Sequence, residues 1–279
     1  MDYLEVLRTS CMAFMIFAPL ELLLPRRRGQ GLFRPLWKTD TIYLLVNVVL
    51  ISFGSAIFVV GGLTLLEPVV PEGLMTAIAS LPVWLQFVLV FIIADLWYYT
   101  MHRLAHKLPL LWRFHAIHHS IEDMDWLAAH RVHAVDQIIT GASTLLVPMA
   151  LGFSETAIFL YSFQFGWHSL LKHSNVRVTW GPLRWILATP VFHHWHHANQ
   201  PEAYDKNFAG QLPLLDVLFG TAIMKEREAP EVYGVDEPIP AGYIDQFFHP
   251  FRRREPEENT PSASTSDQAA LQPTRSTLM

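Results

Sequence analysis

A single cysteine, Cys11, occurs in 279 residues. That excludes an intramolecular disulfide and any cysteine-ligated zinc or iron–sulfur site. Charge is scarce as well: charged residues make up 16% of the chain against 51% hydrophobic, where ordinary soluble domains carry roughly a quarter charged residues. There is no glycine-rich phosphate loop, no flavin or nicotinamide fingerprint, and no basic stripe with interleaved aromatics. Nucleotide and nucleic-acid partners are therefore not expected, and any electrons must come from outside the chain.

The scarcity of charge is concentrated in runs. Residues 41–66 hold no charged side chain, and at about 1.5 Å per helical residue they exceed a hydrocarbon core of roughly 30 Å. A second uncharged run covers 73–94, with Pro82 placed where a helix can begin, and leads into a histidine-bearing segment. Two shorter apolar stretches, 137–154 and 156–171, flank Gly152-Phe-Ser-Glu155; a breaker followed by an N-cap residue predicts a membrane hairpin. The run 4–24 carries Glu5, Arg8 and Glu21, and either spans or lies along the interface. Its basic cluster, Arg26-Arg27-Arg28, follows the apolar stretch, which is the reverse of a cleaved signal peptide. The expected fold is all-α: an integral membrane bundle of about four transmembrane helices, with the N-terminal run as an optional fifth, capped by a helical histidine-rich domain. Arg26, Arg27, Arg28, Arg34 and Lys38 lie in one loop, and the positive-inside rule puts that loop in the cytoplasm. Counting spans from there, every histidine-rich word emerges on the same cytoplasmic side.

Those words dominate what is present. Thirteen of the fourteen histidines lie between His102 and His197, where an even spread would put about five. They group as His102-x3-His106, His115-x2-His118-His119, His168-x4-His173 and His193-His194-x-His196-His197. Imidazole is the commonest metal ligand, and residues three or four apart share a helix face. Neighbours in an HxxHH word diverge by about 100°, so one can serve a first ion and the next a second. A dinuclear site follows, with ten candidate ligands: His102, His106, His115, His118, His119, His168, His173, His193, His196 and His197. Neutral imidazoles leave the charge of two divalent ions uncompensated, which calls for carboxylates behind them. Asp95, Asp136 and Asp216, with Asp205 beside them, are the candidates. His130, His133 and His194 are ambiguous, and His249 stands apart. A divalent-metal transporter is the competing class, but it needs ligands near the middle of the spans. A bis-histidine haem protein would need isolated histidines facing across a bundle.

The string Asp95-Leu-Trp-Tyr-Tyr-Thr-Met-His102-Arg-Leu-Ala-His106, then Trp112-Arg-Phe-His115-Ala-Ile-His118-His119, His173-Ser-Asn, and Thr189-Pro-Val-Phe-His193-His-Trp-His196-His197 resemble the fatty acid hydroxylase/sterol desaturase superfamily. Asp205-Lys-Asn207-Phe and Leu215-Asp216-Val-Leu-Phe-Gly220-Thr221 extend the likeness, which covers about 85–225. Two positions depart from the usual pattern. Ala134 stands where Arg-x-His is normally followed by proline, and Ala209 stands where glycine is usual; both bear on the subfamily and spare the ligands. The resemblance implies two iron ions (zinc being an alternative occupant in purified material), O₂, a separate electron donor of the ferredoxin or cytochrome b5-like kind, and a lipid to be hydroxylated or desaturated. The implied organisation is membrane helices and a basic loop over 1–80, a hydroxylase-like catalytic domain over 81–225, C-terminal loops over 226–254 and a disordered tail over 255–279.

Overall fold

Apolar length and capping residues account for the long helices. The computed structural model describes residues 3–252, and among them the regular structure is helical, apart from two isolated bridges, Pro25 with Val176 and Ala198 with Tyr233. In chain order the helices are α1 (Tyr3–Leu23), α2 (Trp37–Leu66), α3 (Glu72–Ala79), α4 (Val83–Lys107), α5 (Pro109–His119), α6 (Ala134–Gln137), α7 (Ser143–Ala150), α8 (Glu155–His173), α9 (Pro190–His196), α10 (Leu214–Leu218) and α11 (Tyr243–Phe248). A π-helical turn, Ile138–Ala142, joins α6 to α7. The expected tail from 255 lies outside the described residues.

Three helices, α1, α2 and α4, are long and apolar enough by length and composition to cross a membrane. Only 6% of the apolar window of α2 is buried within the protein, so its Val, Phe, Ile and Leu side chains face outward, as they would toward lipid. The expected hairpin forms as two arms, but neither arm matches the three long helices. Its first arm, Ala134–Ala150, is a shorter apolar helix interrupted by the π turn, and its second, α8, carries His168, Lys172 and His173 in its last turns. The uncharged run 73–94 is likewise two elements, α3 and α4, parted at Ser80–Pro82 because Pro82 holds an extended conformation at the N-cap of α4.

Capping fixes the other starts. Ser154 Oγ accepts from Ala157 N at the head of α8, and Thr189 Oγ1 accepts from Phe192 N at the head of α9, where Pro190 takes the first helical position. At one end of the bundle, Gln86 ties two turns together: its Nε2 donates to Leu81 O (2.8 Å) and its Oε1 accepts from Ser154 N (2.8 Å). The opposite end gathers the start of α2 and the ends of α4 and α8, so every histidine word is brought to that side. It is locked by a buried ionic lattice. Arg131 donates from Nε to Asp40 Oδ1 (2.5 Å) and from Nη2 to Oδ2 (2.9 Å), while Arg34 bridges Asp40 (2.7 Å) and Asp125 (2.6 and 2.8 Å). The C-terminal segment is more ordered than loops, because α11 docks on α2 through Tyr243 Oη to Asn47 Oδ1 (3.0 Å) and Thr39 Oγ1 to Ala241 O (2.9 Å).

Candidate metal centre

Nine histidines converge in two adjoining sets. His102, His106, His115, His119 and His196 form one, and His118, His173, His193 and His197 the other; in each, one ring nitrogen per residue lies within 4.8 Å of all the rest. The two sets abut where the rings of His119 and His197 stack at 4.5 Å. The HxxHH words split between sets as the 100° offset requires: His118 and His119 part company, and so do His196 and His197.

Within the sets, nitrogens face one another at short range. His102 Nε2 is 3.0 Å from His115 Nε2, His119 Nε2 is 3.1 Å from His115 Nε2, His173 Nε2 is 3.1 Å from His118 Nε2 and 3.0 Å from His193 Nε2, and His197 Nε2 is 3.1 Å from His193 Nε2. Hydrogen bonding between two neutral rings would need one of the facing nitrogens to carry a proton. The far sides of the rings decide otherwise. His102 Nδ1 donates to Phe208 O (2.7 Å), His115 Nδ1 to Asp136 Oδ2 (2.9 Å), His118 Nδ1 to Arg131 O (2.9 Å), and His173 Nδ1 to Ser169 O (2.7 Å). With the single proton of each neutral ring spent there, both Nε2 atoms of the His102–His115 pair and of the His118–His173 pair present lone pairs. Lone pairs that close repel unless a cation lies between them. Two nitrogens about 2.1 Å from one ion and at right angles to each other would be about 3.0 Å apart, so the donor set fits a metal. The Nε2 atoms of His106 and His196 have no hydrogen-bond partner, as expected of ligand atoms.

Burial favours the neutral ring at His118, His119, His193, His196 and His197. It holds His118 down at about 3, helped by the neighbouring His115. His119, His193, His196 and His197 are likewise well below the ordinary histidine value, burial first and nearby imidazoles after it. Nitrogen donors of this kind suit iron or zinc.

The carboxylates act at different depths. Asp136 touches a ring directly, through His115 Nδ1. Asp95 and Asp216 act through the backbone of 208–212: Asp216 accepts from Phe208 N and Ala209 N (both 2.8 Å), and Asp95 accepts from Gln211 N (2.8 Å) and Leu212 N (2.7 Å). That segment carries the Phe208 carbonyl holding His102. Gly210 lets it approach, since a Cβ there would stand 2.6 Å from Asp95 Oδ1. Asp205 pairs with Lys107 and has Oδ1 4.0 Å from His106 Nδ1.

His168 is placed apart from both sets. Its Nε2 donates to Ala188 O (2.8 Å), one face of α8 away from His173, because a five-residue step does not return to the same side of a helix. His168→Gln is therefore expected to keep the metal content of the parent at a stability cost of about 1–3 kcal/mol for the disturbed buried carbonyl, while His173→Gln loses metal; metal analysis of both variants distinguishes them. His194 sits behind the second set, between His173 O (3.4 Å) and the Tyr233 hydroxyl (3.2 Å). His133 caps α6 and bonds Phe247 O, His130 packs near Trp126, and His249 pairs with Glu237.

Comparison with known proteins follows the same residues. Residues 87–221 match the fatty acid hydroxylase family, and this interval contains all nine converging histidines. That segment belongs to the fatty acid hydroxylase superfamily. The hydroxylase segment is similar to an ornithine lipid hydroxylase of Rhizobium tropici, 33% identical over 174 residues, 62% of this chain and 52% of that protein. An alkylglycerol monooxygenase of Xenopus tropicalis is 32% identical over 170 residues, 61% of this chain and 35% of that protein. A very-long-chain aldehyde decarbonylase of Oryza sativa is 30% identical over 154 residues, 50% of this chain and 24% of that protein. The chain thus spans about half or less of the length of these relatives, and no solved structure matches it.

Sequence reasoning missed the residues that hold this hydroxylase segment's rings from behind. The carbonyls of Arg131, Phe208 and Ser169, and that of Lys206 behind His196 Nδ1, have no side-chain signature, and Asp40 and Arg34, which hold Arg131 and Asp125, lie more than sixty residues before the first histidine word. The one available signal was Asp40, a carboxylate at the edge of an uncharged run.

Proposed function

We propose that the protein is a membrane-bound non-haem oxygenase that uses O₂ and externally supplied electrons to hydroxylate a lipid. Two iron ions would be held by His102, His106, His115, His119 and His196 and by His118, His173, His193 and His197. The observation that carries this reading is the facing of deprotonated Nε2 atoms in both sets. Hydroxylation is favoured over desaturation by the names of the similar proteins, a lipid hydroxylase and a monooxygenase. A transport role finds less support, because the histidines lie together at one end of the helices, and among the described residues no further cluster of metal-ligating side chains lies along them. Following the basic loop Arg26–Arg28, the site would face the cytoplasm.

Bound there, the iron pair would supply O₂ activation and the oxidising power needed for a C–H bond. The chain's own contributions are separate. Asp136 and the carbonyls of Phe208, Arg131, Ser169 and Lys206 would fix the tautomers of His115, His102, His118, His173 and His196 so that Nε2 faces inward, and the Asp136 carboxylate would offset part of the metal charge. Phe208 packs on His102 and His106, and Trp112 on His106 and His119, forming apolar walls that exclude water. A ferredoxin or cytochrome b5-like protein would deliver electrons.

The test is metal analysis of purified protein together with lipid extraction from cells with and without it, in air and under anaerobic conditions. About two iron ions per chain and a lipid heavier by one oxygen, formed only in air, are expected. Fully iron-loaded protein that leaves every lipid of a host extract unchanged, given O₂ and a chemical reductant, overturns the proposal.

A further inference from the structure

Beneath the first histidine set, a cavity of about 270 Å³ opens between α2, α4, α8 and the π turn, lined among others by Ile51, Val59, Tyr98, Gln137, Gly141 and Tyr161. It begins next to the histidines. The Tyr98 ring lies 5.2 Å from that of His102, and Gln137 follows Asp136, the partner of His115. From there it runs along α2 over eight residues, Ile51 to Val59, roughly 12 Å at the helical rise. Most of this wall is apolar.

Its hydrogen-bonding groups are the unusual part. Thr144 and Ser162, which also line it, spend their hydroxyls on the carbonyls of Thr140 and Ile158. The Tyr161 hydroxyl is buried and makes no hydrogen bond of normal geometry, with the Gln211 amide as its polar neighbour. The Gln137 amide and the Tyr98 hydroxyl make no hydrogen bond to any described residue. A purely hydrocarbon occupant would leave the Gln137 amide and the Tyr98 and Ser55 hydroxyls unpaired, at about 1–3 kcal/mol for each that stays buried. Gly141 makes room for the Gln137 amide, which lies over it: a Cβ there would stand 2.5 Å from its Nε2. Gly141 lies in the π turn that follows Gln137, an irregularity frequent at functional sites.

We infer that this cavity takes the first part of a lipid chain together with its polar linkage, an ester- or amide-type oxygen accepting from Gln137 and the Tyr98 hydroxyl, so that a carbon close to that linkage faces the histidines. The inference rests on the lipid reading above and narrows its substrate class: a lipid is held by an accepting oxygen near the site, and a plain alkane is a poor occupant. The remaining chain lies along Ile51 and Val59.

Binding to zinc-loaded protein in detergent tests this without any turnover. The probes are 1-hexadecanoylglycerol, N-hexadecanoylglycine and hexadecane, with retention measured by native mass spectrometry. The parent should favour both polar probes over hexadecane by at least about tenfold. Gln137→Leu should erase most of that preference, and Gly141→Ala should do the same by pushing the Gln137 amide aside; unchanged zinc content reports that each variant is folded. Equal retention of hexadecane by the parent, or an undiminished preference in both variants, overturns the inference. Failure of the two readings is distinguishable: iron-loaded enzyme that oxidises lipid while both variants bind like the parent sinks the cavity assignment alone, whereas the expected binding pattern without any oxidation sinks the oxygenase reading alone.

Discussion

His118→Ala is expected to cut metal content from about two ions per chain to about one and to abolish O₂-dependent lipid modification. His118 belongs to the set of four, where its Nε2 faces that of His173 at 3.1 Å. Removing one donor leaves three nitrogens, and loss of even a supporting contact behind a metal ligand typically costs 10–100-fold in affinity or activity. Loss of the ligand itself should cost on the order of 100-fold or more. The five-membered set lacks His118 and should stay loaded, so the variant separates a two-metal requirement from a one-metal one. His196→Ala is the complementary case, emptying the set of five. Metal analysis beside lipid turnover reads both, and a His118→Ala protein that retains two ions and full turnover would exclude the two-set assignment.

The second large effect is structural. Asp40→Asn should lower stability by about 3–5 kcal/mol, the usual result of removing one partner from a buried ion pair. Asp40 is fully buried, accepts two bonds from Arg131, and pairs with Arg34, which also holds Asp125. The substitution leaves Arg34 with Asp125 alone and takes from Arg131 its carboxylate partner, leaving that buried guanidinium with the Ser120 carbonyl. For a chain of this size, a melting temperature lower by roughly 10 °C follows, at about 2–4 °C per kcal/mol. Metal retention should fall with it, because the Arg131 carbonyl fixes His118 Nδ1. Thermal melts in detergent, followed by metal analysis of the protein that survives, check both; an unchanged melting temperature would show that the lattice contributes little.

Much of the candidate site is legible in one dimension because its ligands sit on short helical words. His102 and His106 are one turn apart on α4, and His193, His196 and His197 lie at the end of α9, so helix periodicity alone assigns rings to a common face. Periodicity also carries the splitting of each HxxHH word between two sets. The place of Pro82 and the N-cap at Ser154 are local signals of the same kind. His168 marks the limit of this reading. Its spacing to His173 is ambiguous in sequence, and its outcome depends on a carbonyl of Ala188, twenty residues away.

By itself, then, the sequence determined an all-helical, lipid-compatible chain with histidines clustered at metal-ligating spacing, because hydrophobic run length and residue spacing are properties of neighbours along the chain. Only the tertiary structure decided which nine histidines meet, which backbone carbonyls set their tautomers, and that Asp40, Arg34 and Asp125 brace them. Those contacts join residues up to a hundred or so positions apart, and a lone pair is directed by whatever the fold places behind the ring.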